Sequence, residues 1–166
     1  MMNLDSKIIE QSRKIGALLS DKKMTITTVE SCTGGGISYA LTEIPGSSAY
    51  VERCFVTYCN KAKNELVGVS QVALDTYGAV SKDVVSQMAQ GGQFKAKADF
   101  AIAVSGIAGP GGGSEHKPVG TVWFGFATPH TVVTQCLVFD GDRGEVRKSA
   151  IYHALTEMLK LIDEQN

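Results

Sequence analysis

Leu4, Ile8, Ile15, Leu18 and Leu19 recur at the spacing of one helical face, which predicts a helix from about Asp5 to Leu19 with Asp5 or Ser6 as its N-cap. The pattern then changes to Thr25-Ile26-Thr27-Thr28-Val29, a β-branched run whose restricted χ1 favours a strand. Helical spacing returns from Ile37 to Ile44 and stops at Pro45-Gly46, and a second strand is expected from Glu52 to Tyr58. Asn60 can cap a short helix carrying Ala62, Leu66 and Val67 that Gly68 closes, and Ser70 to Tyr77 forms another turn or two. Ser81 caps a helix through Val84, Val85, Met88 and Ala89, in which Gly91-Gly92 points to a close packing contact. Asp99 to Val104 is a continuous apolar run, as in a central strand covered on both faces.

Val119 to Ala127 and Thr131 to Phe139 read as two further strands. Only Thr128-Pro129-His130 separates them, too short a link for a crossover, so they pair antiparallel as a hairpin. Asp142 and Glu145 have capping-box spacing at the head of a last helix, whose stripe of Val146, Ala150, Ala154, Met158 and Ile162 must be buried. This alternation, followed by a hairpin and a closing helix, predicts an α/β fold: a three-layer α/β/α sandwich around a mixed five-stranded sheet, as a single domain over residues 1–166.

Composition narrows the function. The 166 residues are 43% hydrophobic and 20% charged, with a net charge of −1 and scattered Lys and Arg, so no electrostatic footprint for nucleic acid or an anionic membrane is present. No run reaches the length of a membrane span, and the start lacks the order of a signal peptide, so a cytoplasmic protein is expected. Cys32, Cys54, Cys59 and Cys136 form no C-x-x-C pair and no histidine stands at ligand spacing, so no metal and no cofactor are expected. The expected partner is a small-molecule substrate, bound by a homo-oligomer.

The stretch from Thr28 to Gly36 joins strand to helix. Such a loop brings backbone N–H groups and the positive end of a helix dipole to the carboxyl edge of a sheet, where an oxyanion or a phosphate can be held. Gly34 to Gly36 allow close approach, although a glycine triplet also simply makes a turn. Ser31 is the candidate nucleophile. Its neighbour Cys32 is the alternative, since a helix N-terminus lowers a thiol pKa, and local sequence leaves the choice open. Ligands of open α/β sheets bind outside the carboxyl ends of the strands, which here carry Ser31, the Tyr58 to Lys63 stretch and Ser105-Gly106. Tyr58, Asn60 and Lys63 are spaced to share one pocket, although an edge aromatic, a helix cap and a solvated lysine are their ordinary fates.

A serine nucleophile needs a base. His116 lies in a glycine-rich loop, His130 in the hairpin turn and His153 within a helix, and none is well placed. A lysine with a depressed pKa can replace histidine. Ser-x-x-Lys occurs at Ser20 to Lys23 and at Ser114 to Lys117, but neither has the expected strand or helix context.

Six motifs occur in order along the chain. They are Glu30-Ser31-Cys32-Thr33-Gly34-Gly35; Phe55-Val56-Thr57-Tyr58 with Asn60, Ala62 and Lys63; Gly78-Ala79-Val80-Ser81; Ser105-Gly106-Ile107-Ala108-Gly109-Pro110; Lys117-Pro118-Val119-Gly120-Thr121-Val122; and Gly141-Asp142-Arg143 with Arg147. Together they resemble the CinA C-terminal domain family over almost the whole length after the first helix. The resemblance implies an anticodon-binding-domain-like α/β/α fold. It also implies hydrolysis of nicotinamide mononucleotide to nicotinate mononucleotide and ammonia in pyridine nucleotide salvage, through a Ser-Lys acyl-enzyme. It makes Ser31 the nucleophile and Lys63 the base, with Tyr58 assisting proton movement and Asn60 shaping the pocket. Thr33, Gly34 and Gly35 would hold the oxyanion. Ser105, Gly106 and the stretch to Gly113, with Arg143 or Arg147, would meet the rest of the substrate. The resemblance is to the C-terminal domain alone, so a pyrophosphatase activity belonging to the N-terminal domain of full-length CinA proteins is not expected. The alternative is a catalytically silent nucleotide-binding regulatory module of the same family.

Overall fold

The computed structural model describes residues 2–165. Helix α1 (Leu4–Lys22) is capped by Asn3, whose side chain accepts from the Ser6 backbone N–H at 2.8 Å. The predicted caps Asp5 and Ser6 fall inside the first turn, where Asp5 faces the positive end of the dipole. Strand β1 (Ile26–Glu30) is followed by α2 (Gly36–Thr42), a single 3₁₀ turn at Ser47–Ala49, and β2 (Val51–Val56). Helices α3 (Asn60–Val67), α4 (Gln71–Tyr77) and α5 (Lys82–Ala96) come next. Strands β3 (Phe100–Gly106), β4 (Thr121–Ala127) and β5 (Val132–Val138) precede α6 (Arg143–Asp163), which opens with the predicted Asp142–Glu145 capping box.

The sheet order is β2-β1-β3-β4-β5. β1 runs parallel to β2 and β3, while β3–β4 and β4–β5 are antiparallel, so the five-stranded sheet is mixed. One face packs Ile26, Phe100, Ile102, Phe124 and Phe126 against Ile15 and Leu19 of α1, Leu41 of α2 and Leu155 of α6. The other packs Val29, Ala101 and Ala103 against Val85 and Met88 of α5 and Val67 of α3. This is the three-layer sandwich. The Gly91-Gly92 pair in α5 has the packing reason its position suggested: a Cβ would stand 1.7 Å from the Val67 carbonyl oxygen at Gly91 and 2.2 Å from Val29 at Gly92. Any side chain there would push α5 off both α3 and β1.

Two features of this topology place a site. β1 lies between its two parallel neighbours, so the chain leaves it towards opposite sides and a crevice opens at the carboxyl ends of β1, β2 and β3. β5 runs in the direction of β3, because two antiparallel steps separate them, and α6 therefore begins at that same edge. Among the described residues no helix is long and apolar enough to cross a membrane.

Candidate functional site

Ser31, Cys32, Tyr58, Asn60, Lys63, Ala79, Val80, Ser105, Gly106, Ala108 and Arg143 line a cleft of about 260 Å3 at this edge. A wider depression of about 620 Å3, lined by Gln93, Phe94, Lys97 and Pro129, lies at the opposite edge and contains no nucleophile beside a base. The smaller cleft is where convergent reactive groups are found.

β1 delivers Ser31. The ladder continues one residue past the strand, with the Ser31 N–H donating to Val104 O at 3.0 Å, and this holds the serine backbone to β3. β2 stops at Val56, so Thr57 and Tyr58 leave the pleat, although the Thr57 N–H still donates to Glu30 O at 2.8 Å. The turn into α3 is capped by Cys59, whose sulfur accepts from the Ala62 N–H at 3.4 Å. Asn60 is the first residue of α3 rather than its cap, and it lines the cleft as an exposed side chain.

One turn into α3, Lys63 points inward. It is 1% exposed and ranks with the largest fully buried side chains of the fold. Its Nζ lies 3.0 Å from Ser31 Oγ, 2.8 Å from Thr57 O and 3.2 Å from Tyr58 O. No carboxylate stands within ion-pairing distance of it among the described residues. Burial without a counter-charge lowers the Lys63 pKa from its ordinary value, a shift that Cys59 and Cys32 oppose only in part. Nζ donates to all three oxygens. On losing a proton it would keep two N–H groups on the carbonyls and turn a lone pair to the hydroxyl, which would then leave Tyr58 O for Lys63. The arrangement can therefore take a proton from Ser31.

Cys32 differs in kind. Burial is the largest cause of a thiol pKa pushed up to about 11, and the Glu30 carboxylate adds to it. The thiol is thus protonated at neutral pH and is a poor nucleophile. Of the two adjacent residues, Ser31 is the one whose reactive atom touches the Lys63 amine.

Tyr58 reaches the pair through its backbone. Its carbonyl accepts from both Lys63 Nζ and Ser31 Oγ, the latter at 3.3 Å. Because the strand has ended, the 59% exposed phenol swings to the rim and accepts from Arg143 Nη2 at 3.2 Å. The phenol oxygen bonds to neither Ser31 nor Lys63 among the described residues, so the contact of Tyr58 with the pair is made by its carbonyl. Arg143 also donates to Gly109 O at 2.7 Å and pairs with no carboxylate among the described residues, leaving a cation at the cleft mouth. Arg147 is not at the mouth. It donates to Cys32 O at 3.0 Å and Thr33 O at 3.4 Å, behind the nucleophile loop, so it holds that loop rather than facing the cleft.

The loop is tight. Gly34 and Gly35 have φ of +60° and +97°, a left-handed path that residues with a Cβ rarely follow. The Gly34 N–H is engaged by Ser31 O, and the Gly36 N–H by Thr33 O, both at 3.0 Å. The Thr33 hydroxyl is engaged by Glu30 at 2.7 Å. Hence Gly34 offers a ligand less than expected, and among the described residues the loop N–H groups without a protein acceptor are those of Cys32, Thr33 and Gly35. Ser105, 1% exposed, and Gly106 line the floor, where a Cβ at Gly106 would stand 2.9 Å from Thr121 O. Gly111 to Gly113 are not among the lining residues.

Glu30 is the site residue that sequence reasoning passed over. It is fully buried, and its carboxylate accepts four hydrogen bonds: from Thr33 Oγ1 at 2.7 Å, the Ile37 N–H at 2.8 Å, the Ser38 N–H at 3.0 Å and Ser38 Oγ at 2.6 Å. α2 begins at Gly36 and its N-cap, Gly35, has no side chain to bond the first turn, so the last side chain of β1 caps it. The helix end expected to bind a substrate anion is thus already occupied by a protein carboxylate. An acidic residue closing a strand, with Thr and Ser soon after it, is the signal that was available.

The CinA C-terminal domain model matches residues 9–162. The chain is 52% identical over 157 residues to the nicotinamide-nucleotide amidohydrolase PncC of Enterobacter agglomerans, covering 94% of this chain and 96% of that one. It is 50% identical over 152 residues to the protein of the same name from Escherichia coli K12, covering 91% and 92%. The crystal structure of the competence/damage inducible protein CihA from Agrobacterium tumefaciens superposes with a TM-score of 0.91 at 45% identity, over 95% of this chain and 96% of that one. Fold, motif order and sequence agree, and the chain belongs to the CinA C-terminal domain family.

Proposed function

We propose that this protein is a nicotinamide-nucleotide amidohydrolase, a hydrolase that converts nicotinamide mononucleotide to nicotinate mononucleotide and ammonia. The observation that carries the reading is the contact of a buried, unpaired Lys63 amine with the Ser31 hydroxyl at 3.0 Å. Half-identity with amidohydrolases over nearly the full length of both chains supports the substrate class.

In the reaction the carboxamide carbon lies over Ser31 Oγ. Neutral Lys63 takes the hydroxyl proton as Oγ attacks, and the carbonyl oxygen becomes an oxyanion facing the free N–H groups of Cys32 and Thr33. The resulting ammonium keeps its hold on Thr57 O and Tyr58 O, so it stays in place to protonate the departing nitrogen. Ammonia leaves and a Ser31 ester remains. Lys63, neutral again, removes a proton from water as it attacks the ester, then returns that proton to Ser31 as the acid is released. The pyridinium of the substrate adds a second cation to the cleft and further disfavours a protonated Lys63. Arg143, the cation at the cleft mouth, is assigned to the 5′-phosphate. The groups assigned these roles all come from one chain.

The test is ammonia release. Purified protein incubated with nicotinamide mononucleotide should yield one ammonia per nicotinate mononucleotide, with turnover unaffected by exhaustive chelation. No ammonia, or cleavage at the glycosidic bond instead, would remove the reading.

A further inference from the structure

The nucleophile loop is gripped from two sides, and the two grips differ in chemistry. Arg147 donates to two carbonyls on one side, whereas on the other a carboxylate with no exposure gathers four donors from residues three, seven and eight positions ahead of it. We infer that Glu30 is a positioning residue for Ser31: by tying Thr33, Ile37 and Ser38 to the end of β1, it sets the path of the intervening loop. That path places the serine hydroxyl on Lys63 and keeps the N–H groups of Cys32 and Thr33 unpaired. The inference rests on the amidohydrolase reading for its kinetic consequence, though not for its geometric one.

The geometry explains why a carboxylate is needed. Each oxygen accepts two hydrogen bonds, Oε1 from Thr33 and Ile37 and Oε2 from Ser38 twice, and all four partners are donors as arranged. A glutamine of the same shape would turn an NH2 group towards two of them, and at least one would be a backbone N–H that cannot reverse its role. The charge also complements the positive end of α2, which has no other cap. Without it, Ile37 and Ser38 would leave buried donors without partners. The loop would have to move to find acceptors, and Ser31 is joined to that loop. The Glu30 carboxylate makes no hydrogen bond to Lys63 or Ser31 among the described residues, and Glu30 does not itself line the cleft. Its effect is on position, and the ionisation of the base is left as it was.

Glu30→Gln is therefore expected to lower kcat by about 100-fold, the scale of a reacting group displaced by about an ångström, with KM little changed. The acid limb of the pH–rate profile, which reports Lys63, should keep its midpoint. A side chain that served stability alone would behave differently: measured well below the melting transition, its variant would retain kcat. Ser38→Ala, which removes one hydroxyl donor and leaves the backbone bonds, guards against a Glu30→Gln chain that does not fold, and should show a smaller fall of the same kind. A crystal structure of either variant reads the geometry without reference to activity. The account expects the 31–38 segment displaced and the Ser31–Lys63 contact lengthened beyond hydrogen-bonding range in Glu30→Gln, and moved in the same sense to a lesser degree in Ser38→Ala. Unchanged kcat in a wild-type-active background, a shifted acid limb, or an unmoved segment would overturn the inference. An inactive wild type with a displaced segment would count against the amidohydrolase reading and leave the positioning of Ser31 in place.

Discussion

Ser31→Ala and Lys63→Ala are each expected to lower kcat for ammonia release by at least about 10⁴-fold, and the double variant to be little worse than either. The reason is that the two groups form one device. An alkyl alcohol does not attack an amide at neutral pH until its proton has somewhere to go, and Lys63 Nζ is the basic group on Ser31 Oγ. The other oxygen within reach, the Tyr58 carbonyl, is a weak acceptor and no base. Removing the serine leaves a base with nothing to deprotonate, and removing the lysine leaves an inert hydroxyl, so the losses overlap instead of multiplying. Lys63→Met is the cleaner form of the second variant, because it keeps an unbranched chain in the buried channel and introduces no cavity. Cys32→Ala is expected to retain most activity, since the thiol is held protonated with its pKa at about 11. Initial rates by coupled ammonia assay check all five variants. The nucleophile would be reassigned if Cys32→Ala were the dead one.

Nicotinamide riboside, which lacks the 5′-phosphate, is expected to show a kcat/KM about 10- to 100-fold below that of the mononucleotide, the range covered by one charged hydrogen-bonded contact of about 1.5–3 kcal/mol. Arg143 is the cation available for the contact. Its guanidinium is already oriented by Gly109 O and the Tyr58 hydroxyl, so little ordering is needed when an anion arrives. Part of the loss should fall on kcat, because binding energy at the phosphate helps to hold the carboxamide over Ser31. Arg143→Ala should bring the mononucleotide down to the level of the riboside and leave the riboside nearly unaffected. An arginine that merely tied α6 to the rim would lower both substrates equally, and a comparison of the two in wild type and variant separates the cases.

Much of this molecule was legible in the chain. The three-residue link Thr128-Pro129-His130 forced a hairpin, the Asp142–Glu145 spacing identified the head of α6, and a β-branched run broken by Gly34 to Gly36 marked the nucleophile loop. Each of these is a local relation, decided within a few residues. What local pattern did not show depends on tertiary context. Lys63 sits in Asn60-Lys61-Ala62-Lys63-Asn64-Glu65, a stretch polar enough to read as solvated surface, and only the packing of α3 against α5 and the turn after β2 buries it. The division of labour between Arg143 and Arg147 follows from where α6 lands on the sheet edge: they share a face one helical turn apart, and that turn along the axis separates the mouth from the back of the loop. Tyr58 was assigned to the pocket by strand alternation and does line the cleft, but because β2 ends two residues earlier its phenol lies at the rim beside Arg143. Glu30 escaped notice because β1 is buried along its whole length, so an acidic residue at its end does not break the pattern of exposure that usually marks a charge.

Activation of Ser31 by a lysine whose pKa burial has lowered would show itself in the pH dependence of kcat/KM. Burial disfavours the charged form, so the Lys63 pKa lies below the ordinary 10.5, and activity should be low where the amine is protonated and rise as it loses its proton. An ascending limb is expected with a midpoint below that ordinary value and a plateau above it, measured with the mononucleotide in the Cys32→Ala chain so that the thiol next to Ser31 does not contribute. A rate independent of pH across that interval, or one that rises only in the range of an unperturbed lysine, would contradict it.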